Sequence, residues 1–157
     1  MAFEREIEVC RGVALRAGEL ALRHAARGVK REDKADDSPV TVADRECEQL
    51  IVSQLRAAFP EDGFLGEEGA DHGGTSGRRW IVDPIDGTRD FVRGLPTWSN
   101  LIALEVDGEV VLGTCNMAAQ GELYWAVRGG GTFLNEKRVG VSAIDRRDRA
   151  IACLTAF

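Results

Sequence analysis

The sequence predicts an α+β fold, two leading helices packed on a largely antiparallel sheet, and three observations carry that expectation. Phe3, Ile7, Cys10, Ala14, Ala17 and Ala21 recur at alternating spacings of four and three, which draws one apolar stripe along a helix. A second stretch with helical spacing stops at Pro60, whose fixed ring and missing N–H end a helix. Beyond it the pattern changes to short apolar runs broken by turn residues, and Asp107-Gly108 between two such runs is a strong hairpin signal. Helices laid on one side of such a meander give an α+β layer arrangement.

Taken in order, the first helix is expected over about residues 3–26. The second is expected over 42–59, burying Cys47, Leu50, Ile51, Leu55 and Ala58. Thr41 and Asp44 have the form of a helix capping box, with Asp in place of the usual Glu. Strands are expected over 64–65, 79–83, 99–106, 110–117, 122–127, 132–134 and 150–155, with Gln120-Gly121 a weaker hairpin signal. Thr88 to Val92 reads as a short helix, and residues 71–77, rich in Gly, Ser and Thr, read as a mobile loop. The chain carries no internal repeat and no low-complexity tract.

At 157 residues, 44% hydrophobic and 29% charged, the chain has the composition of one globular domain long enough for a core. Its net charge of −6 argues against nucleic acid or an anionic membrane as partner. A phosphate substrate stays compatible, because bound metal reverses the local sign. The four cysteines, Cys10, Cys47, Cys115 and Cys153, show no C-x-x-C spacing, so free, mostly buried thiols in a reducing cytoplasm are expected. His24 and His72 stand alone and read as surface residues. Met1 is followed at once by Glu4, Arg5 and Glu6 without an apolar leader, and no apolar run approaches a membrane span, so a cytoplasmic location is expected.

The chemistry concentrates in Asp83-Pro84-Ile85-Asp86-Gly87-Thr88, directly behind the apolar run Trp80-Ile81-Val82. Two carboxylates fixed by a Pro-bearing turn at a strand end can converge on one hard cation. The N–H groups that open the following short helix suit an anion beside it. Asp-Pro-x-Asp-Gly also suits an ordinary type I turn, so the motif alone leaves both readings open. Glu67 and Glu68 sit at another strand end and can supply a further oxygen ligand, although an acidic pair there also suits a solvated turn. An all-carboxylate set with no nearby His or Cys favours Mg²⁺ or Mn²⁺ over Zn²⁺. Asp44 is readable as a helix cap alone.

The order of these pieces resembles the inositol monophosphatase family of Mg²⁺-dependent, Li⁺-sensitive phosphomonoesterases. The resemblance covers nearly the whole chain: the leading helix, residues 34–44, Phe64-Leu65-Gly66-Glu67-Glu68, residues 80–91, and Gly129-Gly130-Gly131-Thr132-Phe133-Leu134-Asn135. Residues 77–94 look like the histidinol-phosphate phosphatase branch, since inositol-hydrolysing members usually show a His near Arg93 and this chain has none. The resemblance implies that Glu67, Asp83 and the Ile85 carbonyl bind a first Mg²⁺, for which Mn²⁺ substitutes, and that Asp83 and Asp86 reach toward a second. It implies Asp44 and Thr88 as the pair that positions and deprotonates the attacking water, with Glu67 the third catalytic residue. The Gly87 and Thr88 amides, with Asp86, would bind the substrate. The expected substrate is a small phosphorylated metabolite, histidinol phosphate or inositol monophosphate, and a homodimer is expected in the full-length form.

The family's pattern has a further metal-binding Asp in a Trp-Asp motif on a second α/β domain, and residues 1–157 contain no such motif. Asp145 and Asp148, among Arg146, Arg147 and Arg149, read as solvated surface charges. Residues 1–157 are therefore expected to be the N-terminal metal- and phosphate-binding domain of a sugar-phosphatase-like fold, without its second domain. The apolar stretch 150–157 is expected to leave a face for a second domain or partner to cover, and otherwise to drive self-association. Three function classes follow: a metal-dependent phosphomonoesterase, a catalytically weak metal- and phosphate-binding module that needs a second domain or partner chain, and a structural interaction domain. Turnover by residues 1–157 alone is expected to be near background.

Overall fold

The computed structural model describes residues 3–28, 31–33 and 39–151, so the expectations for residues 34–38, for Cys153 and for most of the last strand lie outside it. Helix α1 spans Glu4–Arg27 and buries Ile7, Cys10, Ala14, Ala17 and Ala21 of the apolar stripe, together with Val13 and Gly18, while Phe3 precedes the helix as its half-buried N-cap. Helix α2 spans Val42–Ala58 and buries Cys47, Ile51 and Leu55, while Leu50 and Ala58 stay half-buried at the margin of its inner face. Its start is a reciprocal capping box: Thr41 Oγ1 accepts from the amides of Ala43 and Asp44, and the Asp44 carboxylate accepts from the Thr41 amide.

Among the described residues the strands are β1 (Arg31–Asp33), β2 (Pro39–Thr41), β3 (Gly63–Gly66), β4 (Asp71–His72), β5 (Arg78–Asp86), β6 (Ser99–Val106), β7 (Glu109–Met117), β8 (Glu122–Val127), β9 (Gly131–Leu134) and β10 (Lys137–Val139). The pair β1–β2 forms a separate antiparallel ribbon ahead of α2. The other eight strands form one sheet in the order β10-β9-β8-β7-β6-β5-β3-β4. From β5 to β9 it is the expected antiparallel meander, which β10 extends, and Asp107 and Gly108 both take positive φ in the β6–β7 turn, as a two-residue hairpin requires. The departure is β3, which pairs parallel to β5. Hydrophobic periodicity fixes the face a residue occupies and is silent on strand direction.

Helices α1 and α2 cover one face of the sheet. Val13, Ala17, Ile51 and Leu55 of the helices meet Trp80, Val82, Ile102, Leu104 and Leu112 of the strands. Each fully buried Val, Leu or Ile of this kind contributes about 1.5–3 kcal/mol. A second apolar cluster, with Cys47, Ile85, Phe91 and Trp98, lies beneath α3 (Thr88–Val92), where Phe91 and Trp98 meet edge to face at 5.1 Å. On the opposite face Ile81, Asp83, Leu101, Ala103 and Cys115 line an open groove of about 860 Å³.

Several expectations are corrected in detail. Residues 71–77 include a short strand, Asp71–His72, that pairs with β3. The strand expected over 79–83 continues to Asp86. The hairpin arm β10 was not expected, because Lys137 and Arg138 give it no apolar run. Ala150 and Ile151 carry no strand pairing. Cys10 and Cys47 are buried free thiols and Cys115 is half-buried. His24 meets Glu46 at 2.9 Å, and His72 is exposed. Among the described residues no helix is long and apolar enough to cross a membrane.

Candidate active site

The site is built on an irregularity of β5. Asp83 pairs with Leu101 and Asp86 with Ser99, so three steps along β5 oppose two along β6 and one residue is extra. In a regular strand, residues three apart point to opposite faces, and one inserted residue restores them to the same side. A bulge is also a place where a proline, having no N–H to give the ladder, fits inside a sheet. The segment read as a turn is thus a bulge that re-aims two carboxylates.

The electrostatics record how closely the acids converge. Asp83 is pushed up from 3.8 to about 8, first by burial, then by the charge of Glu67, a hydrogen bond with Glu67, and the charges of Asp86 and Asp44. Its Oδ1 is a buried atom without a hydrogen-bond partner among the described residues. Asp44, only 1% exposed, is also shifted upward, by burial, against the opposing effect of hydrogen bonds from Thr41 and Thr88. The four carboxylates came from α2, the end of β3 and both sides of the bulge.

Glu67 is placed by its neighbours. Its amide donates to the Val82 carbonyl at 3.2 Å, which ties the turn after β3 to β5. Glu48, one helical turn after Asp44 on α2 and 5% exposed, accepts from the amides of Glu68 at 2.7 Å and Ala70 at 3.0 Å. Gly66 leaves room for this clasp, since a Cβ there would collide with Glu48 Oε2. Glu48 was missed in the sequence, where the signal available was two acids four apart on one helix face.

Asp44 divides its two oxygens between two tasks. Oδ2 accepts from the Thr41 amide at 2.8 Å and from Thr41 Oγ1 at 2.5 Å, completing the cap. Oδ1 accepts from Thr88 Oγ1 at 3.2 Å, and the same hydroxyl lies 3.0 Å from the Ile85 carbonyl. Gly87 caps α3 in the left-handed region at φ 87°, where its carbonyl accepts from the amides of Asp90 and Phe91. A side chain at Gly87 would be strained by that φ and would also sit 3.0 Å from the Thr97 carbonyl.

The structure therefore joins Asp44, Thr88 and Ile85 by hydrogen bonds and places Glu67 and Asp86 close enough to Asp83 to shift it. Asp145 and Asp148 stay on an exposed loop, with Asp148 paired to Arg146 at 2.7 Å. Among the described residues no three His, Cys, Asp or Glu side chains are already drawn to one ion-sized point, and Asp83 and Glu67 instead hydrogen-bond each other. The donor set nevertheless fits a hard divalent cation: all the candidate donors are oxygens, the negative charge is crowded, and one buried carboxylate oxygen has no partner among the described residues.

Known proteins resemble this chain in sequence and in fold. The inositol monophosphatase family model matches residues 4–155. The chain is 45% identical over 151 residues to a histidinol-phosphatase of Chlorobaculum parvum, covering 96% of this chain and 58% of that protein. It is 50% identical over 105 residues to an inositol-1-monophosphatase of Rhizobium meliloti, covering 66% of this chain and 40% of that protein. The crystal structure of the extragenic suppressor protein suhB from Bartonella henselae superposes with a TM-score of 0.87 at 36% identity, over 91% of this chain and 57% of that one. The chain thus spans roughly half the length of the relatives it matches.

Proposed function

Because the chain belongs to the inositol monophosphatase family, we propose that it forms the metal- and phosphate-binding part of a Mg²⁺-dependent phosphomonoesterase acting on a small phosphorylated metabolite. Histidinol phosphate is preferred over inositol monophosphate, supported by the likeness to a histidinol-phosphatase along 96% of the chain. The observation that carries the metal reading is Asp83, crowded by three other carboxylates and holding a buried oxygen without a partner among the described residues.

In this reading Glu67, Asp83 and the Ile85 carbonyl hold one ion, and Asp83 and Asp86 reach a second. Bound there, a divalent ion lowers the pKa of its water and neutralises charge on the phosphoryl and leaving oxygens. The chain's own residues manage the proton. The Thr88 hydroxyl has two acceptors in reach, Asp44 Oδ1 at 3.2 Å and the Ile85 carbonyl at 3.0 Å; with its one hydrogen turned to Asp44 it would have lone pairs left to accept a hydrogen from the attacking water. Asp44 is the proton's destination, and burial makes it a stronger base than an exposed carboxylate. Glu67, exposed at its turn, would be the third catalytic residue. The amides of the N-cap Gly87 and of Thr88, the first residue of α3, have no acceptor within the helix and would bind the phosphate.

The second reading is a metal- and phosphate-binding module that turns over only when joined to further chain, and it is favoured by the 58% coverage of the histidinol-phosphatase relative. One experiment addresses both. Phosphate release from histidinol phosphate and from inositol 1-phosphate is followed with Mg²⁺, with chelator, and in Asp83→Asn. Mg²⁺-dependent release, lost in the variant, supports the enzyme. Mg²⁺ binding lost in the variant, without release, supports the module. Neither release nor Mg²⁺ binding would refute both.

A further inference from the structure

Two asparagines lie where the sheet should be apolar. On β6, Asn100 shares the helix-covered face with Ile102 and Leu104, and it is fully buried; on β7, Asn116 is directly opposite and 2% exposed. A buried amide is tolerated only when its hydrogen bonds are made, and these are. Asn116 Nδ2 donates to the Ala14 carbonyl of α1 at 2.8 Å and to Asn100 Oδ1 at 3.1 Å. Asn100 Nδ2 donates to the Pro84 carbonyl at 2.6 Å. The result is a polar connection from α1 through two strands to the bulge of β5.

Pro84 is the place where that connection matters. Neither Pro84 nor Ile85 has a ladder partner on β6, so the Asn100 side chain supplies the bond that pairing cannot. Helix α1 comes close enough to seal the pair because residue 18 is glycine: a Cβ there would collide with Asn116 Nδ2 and lie 3.2 Å from Asn100 Oδ1. Without the bulge's extra residue the strand would return to period two, and Asp86 would point away from Asp83.

We infer that Asn100 and Asn116 are positioning residues that lock the Pro84 bulge from beneath, keep Asp83 and Asp86 on one side, and so set the affinity of that carboxylate cluster for a divalent cation. The effect on cation affinity rests on the metal reading above, whereas the locking of the bulge does not.

The test compares Asn100→Val, which removes the donor to Pro84, with Leu104→Ala, which opens the core further along β6. Three quantities are read in the chain: Mn²⁺ affinity by electron paramagnetic resonance, melting temperature without metal, and hydrogen exchange at the Ile85 and Asp86 amides. Asn100→Val is expected to weaken Mn²⁺ binding about tenfold or more, the usual scale for partners behind a metal ligand, and to speed exchange at both amides. Leu104→Ala is expected to melt lower yet bind Mn²⁺ as the wild type does. A folded Asn100→Val with unchanged affinity and exchange overturns the inference, as does equal loss of affinity in Leu104→Ala. Should Asn100→Val fail to fold, Asn116→Val, which removes the support of the Asn100 amide, takes its place with the same expected and contrary results. A wild type that does not bind Mn²⁺ would refute the metal reading separately, and amide exchange alone would then decide whether the pair locks the bulge.

Discussion

Replacing Asp83 by Asn should stabilise the metal-free protein while removing its response to metal. Folding raises Asp83 from 3.8 to about 8, so between these values the folded chain holds a proton that the unfolded chain has lost. Stability contributed by that proton is present at low pH and disappears as pH rises, at up to about 1.4 kcal/mol per pH unit. At pH 7 the raw cost is about 4 kcal/mol, and partial exposure and salt screening reduce it to about 2. Asn carries no charge to repel Glu67, Asp86 and Asp44, and its amide donates where the protonated carboxyl did. For a chain of this size, about 2 kcal/mol corresponds to a rise of about 4–8 °C in melting temperature. Bound ligand acts the other way, because 100-fold excess over Kd stabilises the wild type by about 2.7 kcal/mol. Thermal melts followed by circular dichroism should therefore place the variant above the wild type in chelator at pH 8, narrow that gap at pH 5, and show an Mg²⁺ shift in the wild type alone. A variant that melts lower than wild type in chelator at pH 8, or that keeps the full Mg²⁺ shift, would refute the reasoning.

Asp44→Asn retains an oxygen for the Thr41 amide, so its melting point should change by no more than about 1 kcal/mol equivalent. In any form of the protein that releases phosphate, the same variant and Thr88→Ala should each lower turnover about 10²–10⁴-fold, and near wild-type rates in both would remove the proposed pair. Gly66→Ala drives a Cβ into Glu48 and should cost about 1–3 kcal/mol in urea unfolding; an unchanged midpoint would show that the clasp on the Glu67 turn is unimportant. Burial pushes the Cys10 and Cys47 thiols up to about 12, so an alkylating reagent at pH 8 should modify them only after unfolding, and native modification of Cys10 detected by mass spectrometry would contradict their burial.

The helices were legible because a stripe such as Ile7, Cys10, Ala14 is a local consequence of helical spacing, and Pro60 and Thr41 mark ends by local chemistry. The meander was legible for the same reason, through the positive φ that Asp107-Gly108 permits. Strand β10 was not, although Asn135, at φ 51°, marks the turn that leads into it. The parallel pairing of β3 with β5 is a long-range choice that no window of residues contains. At the site, the sequence showed the acids but not their relation. Asp83 and Asp86 read as two ends of a turn, whereas a proline inside a strand already pointed to a bulge. Asn100 interrupts the apolar alternation of Ile102 and Leu104, and Asn116 follows Leu112 and Thr114 on the inward positions of β7, which is the visible trace of a buried polar pair. The upward shift of Asp83 depends on Glu67 and Asp44 arriving from other elements, and it emerges only once the chain is folded.

The central claim is that Glu67, Asp83, Asp86 and the Ile85 carbonyl form a divalent-cation site. Crystals grown with Mn²⁺ in place of Mg²⁺ and measured at a wavelength where manganese scatters anomalously test it most directly. The expected result is an anomalous peak within ligand distance of Asp83 Oδ1, with Glu67 or Asp86 completing the contact, and its disappearance in Asp83→Asn. No peak at that cluster under saturating Mn²⁺, or one that survives in Asp83→Asn, would contradict it.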